Sequence, residues 1–244
     1  VVVDCGNGAG GVVAEQLYRA LGCDVTALYT EVDGNFPNHH PDPAEPENVA
    51  ELIATVKAQQ ADCGLAFDGD ADRLGLITDT GDIIWPDRQM MLFAQDVLQR
   101  NSGAKIVFDV KCSRYLAEVI QQAGGEPEMW KTGHSILKAK MYEVDSPLAG
   151  EMSGHIFFRD GWTGFDDGLY AGARLLQILA AGDKTIDEIF AELPNSVVTP
   201  ELKIAIDEKQ KQKVMQDVIA NADFADGEAF TLDGLRVDFA DGFL

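Results

Sequence analysis

The feature that most constrains the fold is an alternation of short apolar runs with helical hydrophobic periods, repeated twice along the chain. The first pass starts with the apolar run Val1-Val2-Val3, ends in Asp4, and continues through a glycine-rich turn into a helical stripe that stops at Gly22. The second pass starts with the run at 105–109, which also ends in aspartate, and stops at Gly124-Gly125. Strands that alternate with helices form α/β layers. The pattern therefore predicts an internal repeat of about one hundred residues.

Two candidate boundaries divide the chain into three parts. Asn101-Ser102-Gly103 precedes the restart of the pattern, and Pro194-Asn195 precedes a segment of different character. The sequence predicts two tandem mixed-sheet α/β domains, at 1–101 and 102–194, followed by a partial α+β domain at 195–244. The chain starts without methionine and its last residues interrupt the pattern, so we expect it to be a piece of a longer protein.

Composition limits the classes of partner. The 244 residues include 19 Lys and Arg against 41 Asp and Glu, a formal net charge of −22. Such a surface repels nucleic-acid backbones and anionic lipid, so we expect no nucleic-acid partner and no membrane surface. No apolar run in the sequence approaches the roughly 20 residues of a membrane span. The four cysteines lack a C-x-x-C spacing, which favours free thiols and a cytoplasmic location.

The strongest chemical signal is the segment Asp68-Gly69-Asp70-Ala71-Asp72-Arg73, which directly follows the apolar run Leu65-Ala66-Phe67. Three neighbouring carboxylates repel one another unless a cation lies among them, and the small residues between them allow a tight turn. Oxygen ligands favour Mg²⁺, Ca²⁺ or Mn²⁺ over zinc. We therefore predict that Asp68, Asp70 and Asp72 bind a divalent cation. A solvated acidic loop and a phosphatase with an aspartate nucleophile are the alternatives.

Two further polar segments follow strands of the second repeat. Gly150-Glu151-Met152-Ser153-Gly154-His155 has a carboxylate, a hydroxyl and an imidazole at alternate positions, which point the same way in an extended segment and suit sugar hydroxyls. Lys131-Thr132-Gly133-His134 and Lys111 also follow strands, where phosphate could meet backbone N–H groups at a helix start. An ordinary turn and a solvated lysine are the alternatives. Glycines within 6–11 match the spacing of a dinucleotide turn, but no acidic residue ends the second strand as that motif requires.

Together these motifs resemble those of the α-D-phosphohexomutase family, in its bacterial phosphomannomutase/phosphoglucomutase branch. The resemblance runs along the whole chain and includes the segments Gly34-Asn35-Phe36-Pro37-Asn38-His39-His40-Pro41-Asp42-Pro43 and Gly164-Phe165-Asp166-Asp167-Gly168. It implies that 1–101 and 102–194 are the second and third of four family domains, and that 195–244 begins the fourth. It also implies the family activity, which transfers a phosphoryl group between O1 and O6 of hexose phosphates through a phosphoserine enzyme and a bisphosphorylated sugar.

The resemblance assigns expected roles to individual residues. The three aspartates of the acidic segment are expected to hold Mg²⁺. The O3 and O4 hydroxyls of the sugar are expected to meet Glu151 and Ser153. The expected catalytic groups line the cleft and are Arg73, Lys111, His134 and His155. Of these, Arg73 and Lys111 are also expected to bind the substrate, a mannose or glucose 1- or 6-phosphate or the bisphosphate intermediate.

The sequence lacks two segments that the resemblance requires. None of its serines lies in a phosphoserine loop of the type Thr-Ala-Ser-His-Asn-Pro, and it contains no phosphate-binding loop rich in Arg, Ser, Asn and Thr. We therefore expect the isolated chain to be inactive as a mutase. The alternative functions are a phosphatase with Asp68 as nucleophile and a non-catalytic module that binds sugar phosphates. The phosphatase pattern D-x-D-x-T/V fails at Asp72.

Overall fold

The computed structural model describes residues 1–197, 199, 202, 204–240 and 242–243. The strands are β1 (Val2–Asp4), β2 (Thr26–Leu28), β3 (Cys63–Phe67), β4 (Leu74–Thr78), β5 (Ile83–Ile84), β6 (Lys105–Asp109), β7 (Glu126–Trp130), β8 (Leu148–Gly150), β9 (Ile156–Phe158), β10 (Glu228–Phe230) and β11 (Arg236–Asp238). The helices are α1 (Ala14–Ala20), α2 (Ala50–Gln59), α3 (Pro86–Arg100), α4 (Arg114–Gln122), α5 (His134–Glu143), α6 (Gly168–Ala180), α7 (Ile186–Ala191) and α8 (Glu208–Asn221). Positions 198, 200, 201, 203, 241 and 244 of the predicted third domain lie outside the described residues.

The first sheet combines parallel and antiparallel pairs, in the order β2-β1-β3-β4-β5. β1 pairs in parallel with β2 and β3, and β4 pairs antiparallel with both β3 and β5. All residues of β3 are buried, because helices cover both faces of the sheet. Leu52 and Val56 of α2 pack on one face, and Tyr18 of α1 lies in the core on the other.

The second sheet has the order β7-β6-β8-β9. β6 pairs in parallel with β7 and β8, and β9 is antiparallel to β8. This is the order in which the first four strands of the first sheet are arranged, so the predicted repeat is present in the strand connectivity. The predicted fold class of mixed-sheet α/β layers is confirmed.

Helices α3 and α6 join the two sheets into one core. α3 contributes buried residues such as Met90 and Phe93 to a cluster that includes Leu65 of the first sheet and Phe158 of the second. The rings of Phe93 and Phe158 meet edge to face, with their centroids 5.1 Å apart. Helix α6 contacts β3, β4 and β9. Because this core is shared, the loops at the ends of the strands in both sheets hold a fixed relation to each other.

The last part of the described chain packs more loosely. Helix α8 has no buried residue, and β10 and β11 form a two-stranded antiparallel sheet. This small sheet contacts the turn after β6 of the second sheet through Arg236. The buried Nη1 of Arg236 donates to the carbonyl oxygens of Val110 at 2.5 Å and Cys112 at 2.7 Å. Along the described ranges, no helix is both long enough and apolar enough to cross a lipid bilayer.

Candidate functional site

The acidic segment forms a tight loop between β3 and β4. Its turn requires a left-handed backbone at Ala71, where φ is +65°, and a small side chain lowers the steric cost of that conformation. Asp68 is buried, Asp72 is half-buried and Asp70 is exposed. One carboxylate oxygen from each of the three lies within 4.8 Å of the others. The structure therefore brings the three predicted cation ligands together.

The glycine-rich turn at 6–11 packs against the backbone of this loop. The N–H of Ala9 donates to the carbonyl oxygen of Gly69 at 2.8 Å. A Cβ atom at Gly8 would lie only 2.6 Å from the same oxygen, so the close approach of the two backbones requires glycine there. The turn thus packs against the acidic loop, and the dinucleotide interpretation gains no support from it.

The charges of the acidic loop are only partly balanced within it. Burial, followed by the charges of Asp68 and Asp70, raises the pKa of Asp72 from 3.8 to about 7. The guanidinium of Arg73 lies against Asp68, with Nε 2.7 Å from Oδ2, and also reaches Oδ1 of Asp42 at 3.2 Å. Burial lowers the pKa of Arg73, but the hydrogen bond and charge of Asp68 outweigh it, so that the pKa is raised. Three convergent carboxylates with hard oxygen donors fit a divalent cation such as Mg²⁺.

The segment 150–155 folds back on the loop that precedes α5. Glu151 is 2% exposed; its Oε1 accepts the N–H of Gly133, and its Oε2 accepts the hydroxyl of Ser153 at 3.1 Å. Burial raises the pKa of this carboxyl above its ordinary value. The predicted pair Glu151 and Ser153 is therefore in direct contact and presents one acceptor and one hydroxyl side by side.

The acidic loop and the segment 150–155 lie against each other, although they belong to different sheets. The N–H of Leu74, directly after the acidic loop, donates to the carbonyl oxygen of Gly154 at 3.2 Å. The start of α6 also contacts the acidic loop, because the N–H of Gly168 donates to the carbonyl oxygen of Ala71 at 3.1 Å. Arg73 and His155 form an isolated antiparallel bridge between the two segments. The predicted cation site and the predicted sugar site are thus parts of one surface.

The predicted histidines meet at Asp166, to which the sequence assigns no role of its own. Nδ1 of His134 lies 2.7 Å from Oδ2 of Asp166, and Nδ1 of His155 lies 3.7 Å from the same oxygen and 3.5 Å from Oδ1 of Asp72. The two imidazole rings stack with centroids 5.3 Å apart. Burial lowers the pKa of His155. The one sequence signal for Asp166 is its place in the segment Gly164-Phe165-Asp166-Asp167-Gly168, which is part of the family resemblance.

Lys111 and the loop before α5 complete this edge of the second sheet. Lys111 is exposed in the turn after β6. The backbone N–H groups considered for phosphate at the start of α5 are engaged by carboxylates: that of Thr132 donates to Oδ2 of Asp233 at 2.9 Å, and that of Gly133 to Glu151. The accepting carboxylates, Asp233 and Glu151, are distant in the sequence and reach these N–H groups only in the folded chain, so the local sequence does not predict them.

Comparisons with known proteins identify relatives of this chain. The family model "Phosphoglucomutase/phosphomannomutase, alpha/beta/alpha domain II" matches residues 1–81, and the corresponding model for domain III matches residues 85–197. A phosphomannomutase/phosphoglucomutase of Pseudomonas putida is 57% identical over 243 residues, which are 100% of this chain and 52% of that protein. A phosphoglucomutase of Neisseria gonorrhoeae is 57% identical over 245 residues, which are 100% of this chain and 53% of that protein.

A solved structure gives the same result. The crystal structure of a phosphoglucomutase/phosphomannomutase family protein from Burkholderia thailandensis superposes with a TM-score of 0.93 at 56% identity, and the match covers 99% of this chain and 52% of that one. Two tandem mixed sheets with facing acidic and polar loops define an α/β protein of the phosphohexomutase type. With both domain models matched, the chain belongs to the phosphoglucomutase/phosphomannomutase family. It spans about half the length of the curated relatives it matches.

Proposed function

We propose that the protein to which this chain belongs is a phosphohexomutase, which transfers a phosphoryl group between O1 and O6 of mannose or glucose phosphates through a phosphoserine and a bisphosphorylated sugar. The observation that carries this proposal is the contact between the acidic loop and the segment 150–155, joined by the Leu74–Gly154 hydrogen bond. A phosphate held at the first loop would have its sugar beside the second. The names of relatives at 57% identity support the same reaction.

The proposed cation ligands are Asp68, Asp70 and Asp72. When Mg²⁺ is bound, it neutralises the negative charge of the phosphoryl group as that group moves. Burial and, after it, the charges of Asp68 and Asp70 raise the pKa of Asp72, and a bound cation would relieve that like-charge repulsion. A fold relative, the N-acetylphosphoglucosamine mutase of Aspergillus fumigatus, was solved in complex with GlcNAc-6P and magnesium, with 18% identity and a TM-score of 0.63.

The remaining proposed roles belong to side chains around this centre. Arg73, fixed by Asp68 at 2.7 Å, compensates phosphate charge close to the cation ligands. His155 is favoured as the neutral imidazole by its burial, so its ring nitrogen is suited to accept a proton. The other proposed groups are Lys111 and His134 for charge compensation and proton handling.

Glu151 and Ser153 are the proposed partners of the sugar hydroxyls, because their polar atoms already face each other across 3.1 Å. A sugar hydroxyl can take the place of this contact: it donates to the carboxylate, and the serine hydroxyl turns to donate to the sugar oxygen instead. We propose that the domains extend over 1–101, 102–194 and 195–244. We also propose a cytoplasmic location, which the four free cysteines support.

The test of the proposed function is ligand binding to the 244-residue chain. Calorimetry with glucose 1,6-bisphosphate and with glucose or mannose 6-phosphate, in the presence of Mg²⁺, is expected to show saturable binding. Ser153→Ala is expected to weaken that binding by about three- to tenfold, whereas Ser102→Ala, which is exposed between α3 and β6, is expected to leave it unchanged. The absence of binding of all three sugar phosphates would contradict the proposal.

A coupled assay separates the alternatives. Because the sequence contains no phosphoserine loop of the family type, the isolated chain is expected to show no mutase turnover. A normal turnover number would refute that expectation. Release of inorganic phosphate that disappears in Asp68→Asn would favour the phosphatase alternative, in which Asp68 is the nucleophile.

A further inference from the structure

A fully buried carboxylate lies beneath the loops of the second sheet. Asp109, the last residue of β6, is 0% exposed. Its Oδ1 accepts the backbone N–H of Met152 at 3.1 Å and the thiol of Cys112 at 3.1 Å. Its Oδ2 accepts the hydroxyl of Thr132 at 3.1 Å. Buried carboxylates are stable only when donors surround them, and these three contacts supply the donors.

The three donors lie in three different loops, each of which carries a group of the proposed site. The thiol lies in the turn 110–113, which contains Lys111. The hydroxyl lies in 131–133, directly before His134. The backbone N–H lies in 150–155, between the two proposed partners of the sugar hydroxyls. One carboxylate therefore ties together loops that are otherwise separated by whole strands and helices.

We propose that Asp109 is a positioning residue of the site. It holds the three loops so that their substrate-binding groups face a single ligand, and this role rests on the proposed function. Asp109 has no exposed surface with which to touch a substrate, so it acts through the loops. The acidic loop belongs to the first sheet and is held by contacts of its own, such as the 3.0 Å hydrogen bond from the N–H of Arg73 to Asp68.

The chemistry of the three contacts distinguishes two substitutions. A carboxylate has two oxygens that only accept, matching one N–H, one thiol and one hydroxyl. Asp109→Asn keeps an oxygen for Met152 and turns an amide NH₂ toward Thr132, whose hydroxyl can accept as well as donate. Asp109→Ala leaves all three donors without their acceptor. The asparagine variant is therefore expected to retain the arrangement, and the alanine variant to lose it.

The experiment uses the 244-residue chain with Asp109→Ala, Asp109→Asn and Thr132→Val. The matched control is Ser146→Ala, because Ser146 is also 0% exposed and its hydroxyl donates to the carbonyl oxygen of Leu148 at 2.6 Å. Ser146 precedes β8, at the end of that strand opposite to the segment 150–155. Three quantities are measured: amide hydrogen exchange at 131–134 and 150–155, the affinity for Mg²⁺, and the affinity for glucose 1,6-bisphosphate.

Asp109→Ala is expected to raise exchange in both segments together, and to weaken bisphosphate binding by about tenfold or more, while Mg²⁺ affinity stays within about twofold. A general loss of stability would change all three quantities. Weaker bisphosphate binding with unchanged Mg²⁺ affinity is therefore specific to a positioning role. Asp109→Asn is expected to resemble the parent chain. Thr132→Val is expected to raise exchange mainly at 131–134 and to weaken bisphosphate binding.

Three results would overturn the proposal: unchanged exchange at Met152 in Asp109→Ala, an equal effect in Ser146→Ala, or an asparagine variant as impaired as the alanine one. If the alanine variant does not fold, the proposal is tested with Thr132→Val instead. Unchanged hydrogen exchange at 131–134 and unchanged bisphosphate affinity in that variant would overturn the proposal. The exchange measurement needs no ligand. If the parent chain binds no sugar phosphate, the proposed function fails, while exchange still decides whether Asp109 holds the loops.

Discussion

Arg174 gives a quantitative test of how helices α3 and α6 are held against the second sheet. It lies on α6, and its side chain is 8% exposed. Nη2 lies 2.8 Å from Oδ2 of Asp96, on α3, and 3.0 Å from Oδ2 of Asp160, after β9. Nη1 donates to the carbonyl oxygen of Asp160 at 2.6 Å. The guanidinium thus connects the two bridging helices to the second sheet.

The perturbation is Arg174→Met, which retains most of the apolar stem and removes the charge. Removal of one partner from a buried ion pair costs about 3–5 kcal/mol. Here the remaining carboxylates of Asp96 and Asp160 are 21% and 16% exposed, and Arg100 still pairs with both at 2.6 Å. Solvent and Arg100 therefore offset about half of that cost, and we expect a loss of about 2 kcal/mol in the free energy of unfolding.

The assay is urea unfolding, followed by circular dichroism, of the parent and the variant at pH 7 and at lower pH. Burial alone would raise the pKa of Asp96 and Asp160, but hydrogen bonds led by Arg100 outweigh it and hold both pKa values below 3.8. Because the folded pKa values are depressed, this stabilisation is complete above the unfolded value and is lost as the pH falls through the folded ones. The difference between parent and variant is therefore expected to shrink below about pH 4.

The matched control is Lys184→Met. Lys184 pairs with Glu192, and both side chains are more than half exposed, at 53% and 65%, so its loss is expected to change stability little. A loss below about 0.5 kcal/mol for Arg174→Met at pH 7, or a difference that grows on acidification, would refute the reasoning.

Two further predictions concern the acidic loop. Asp70→Ala is expected to weaken Mg²⁺ binding by about tenfold or more, measured by calorimetry, whereas the exposed Asp62→Ala is expected to bind as the parent does; equal affinities in all three chains would contradict the cation assignment. Gly168→Ala places a Cβ atom 2.8 Å from the carbonyl oxygen of Arg73, so we expect a loss of about 1–3 kcal/mol in the free energy of unfolding. Gly182→Ala has open space around its Cβ position and is expected to be tolerated; a Gly168→Ala variant as stable as this control would show that the start of α6 is not in tight contact with the acidic loop.

Features set by neighbouring residues could be predicted from the sequence. The acidic segment follows a buried strand, so its carboxylates meet at the end of β3, and one oxygen from each lies within 4.8 Å of the others. The alternating pattern likewise placed Glu151 and Ser153 on one side of an extended segment, where their oxygens are 3.1 Å apart. In both cases the spacing along the chain determines the geometry.

Features that depend on packing between the sheets could not be predicted. Asp166 reaches His134, 32 residues earlier in the chain, at 2.7 Å, because α6 packs against both sheets and brings its preceding loop to the site. The bridge between Arg73 and His155 joins two loops that no local pattern relates. Within the second sheet, the sequence shows Asp109 only as the end of a strand; Cys112 lies three residues further along, but the donors of Thr132 and Met152 come from loops that meet only in the folded sheet.

The central claim is that the acidic loop and the segment 150–155 form one site that binds a cation and a hexose phosphate together. The most direct measurement is the affinity of the 244-residue chain for glucose 1,6-bisphosphate with and without Mg²⁺, in the parent and in Asp70→Ala. At a Mg²⁺ concentration that just saturates the parent, we predict that Mg²⁺ tightens bisphosphate binding by about tenfold in the parent and by much less in the variant. Equal affinities with and without Mg²⁺ in the parent would contradict the account.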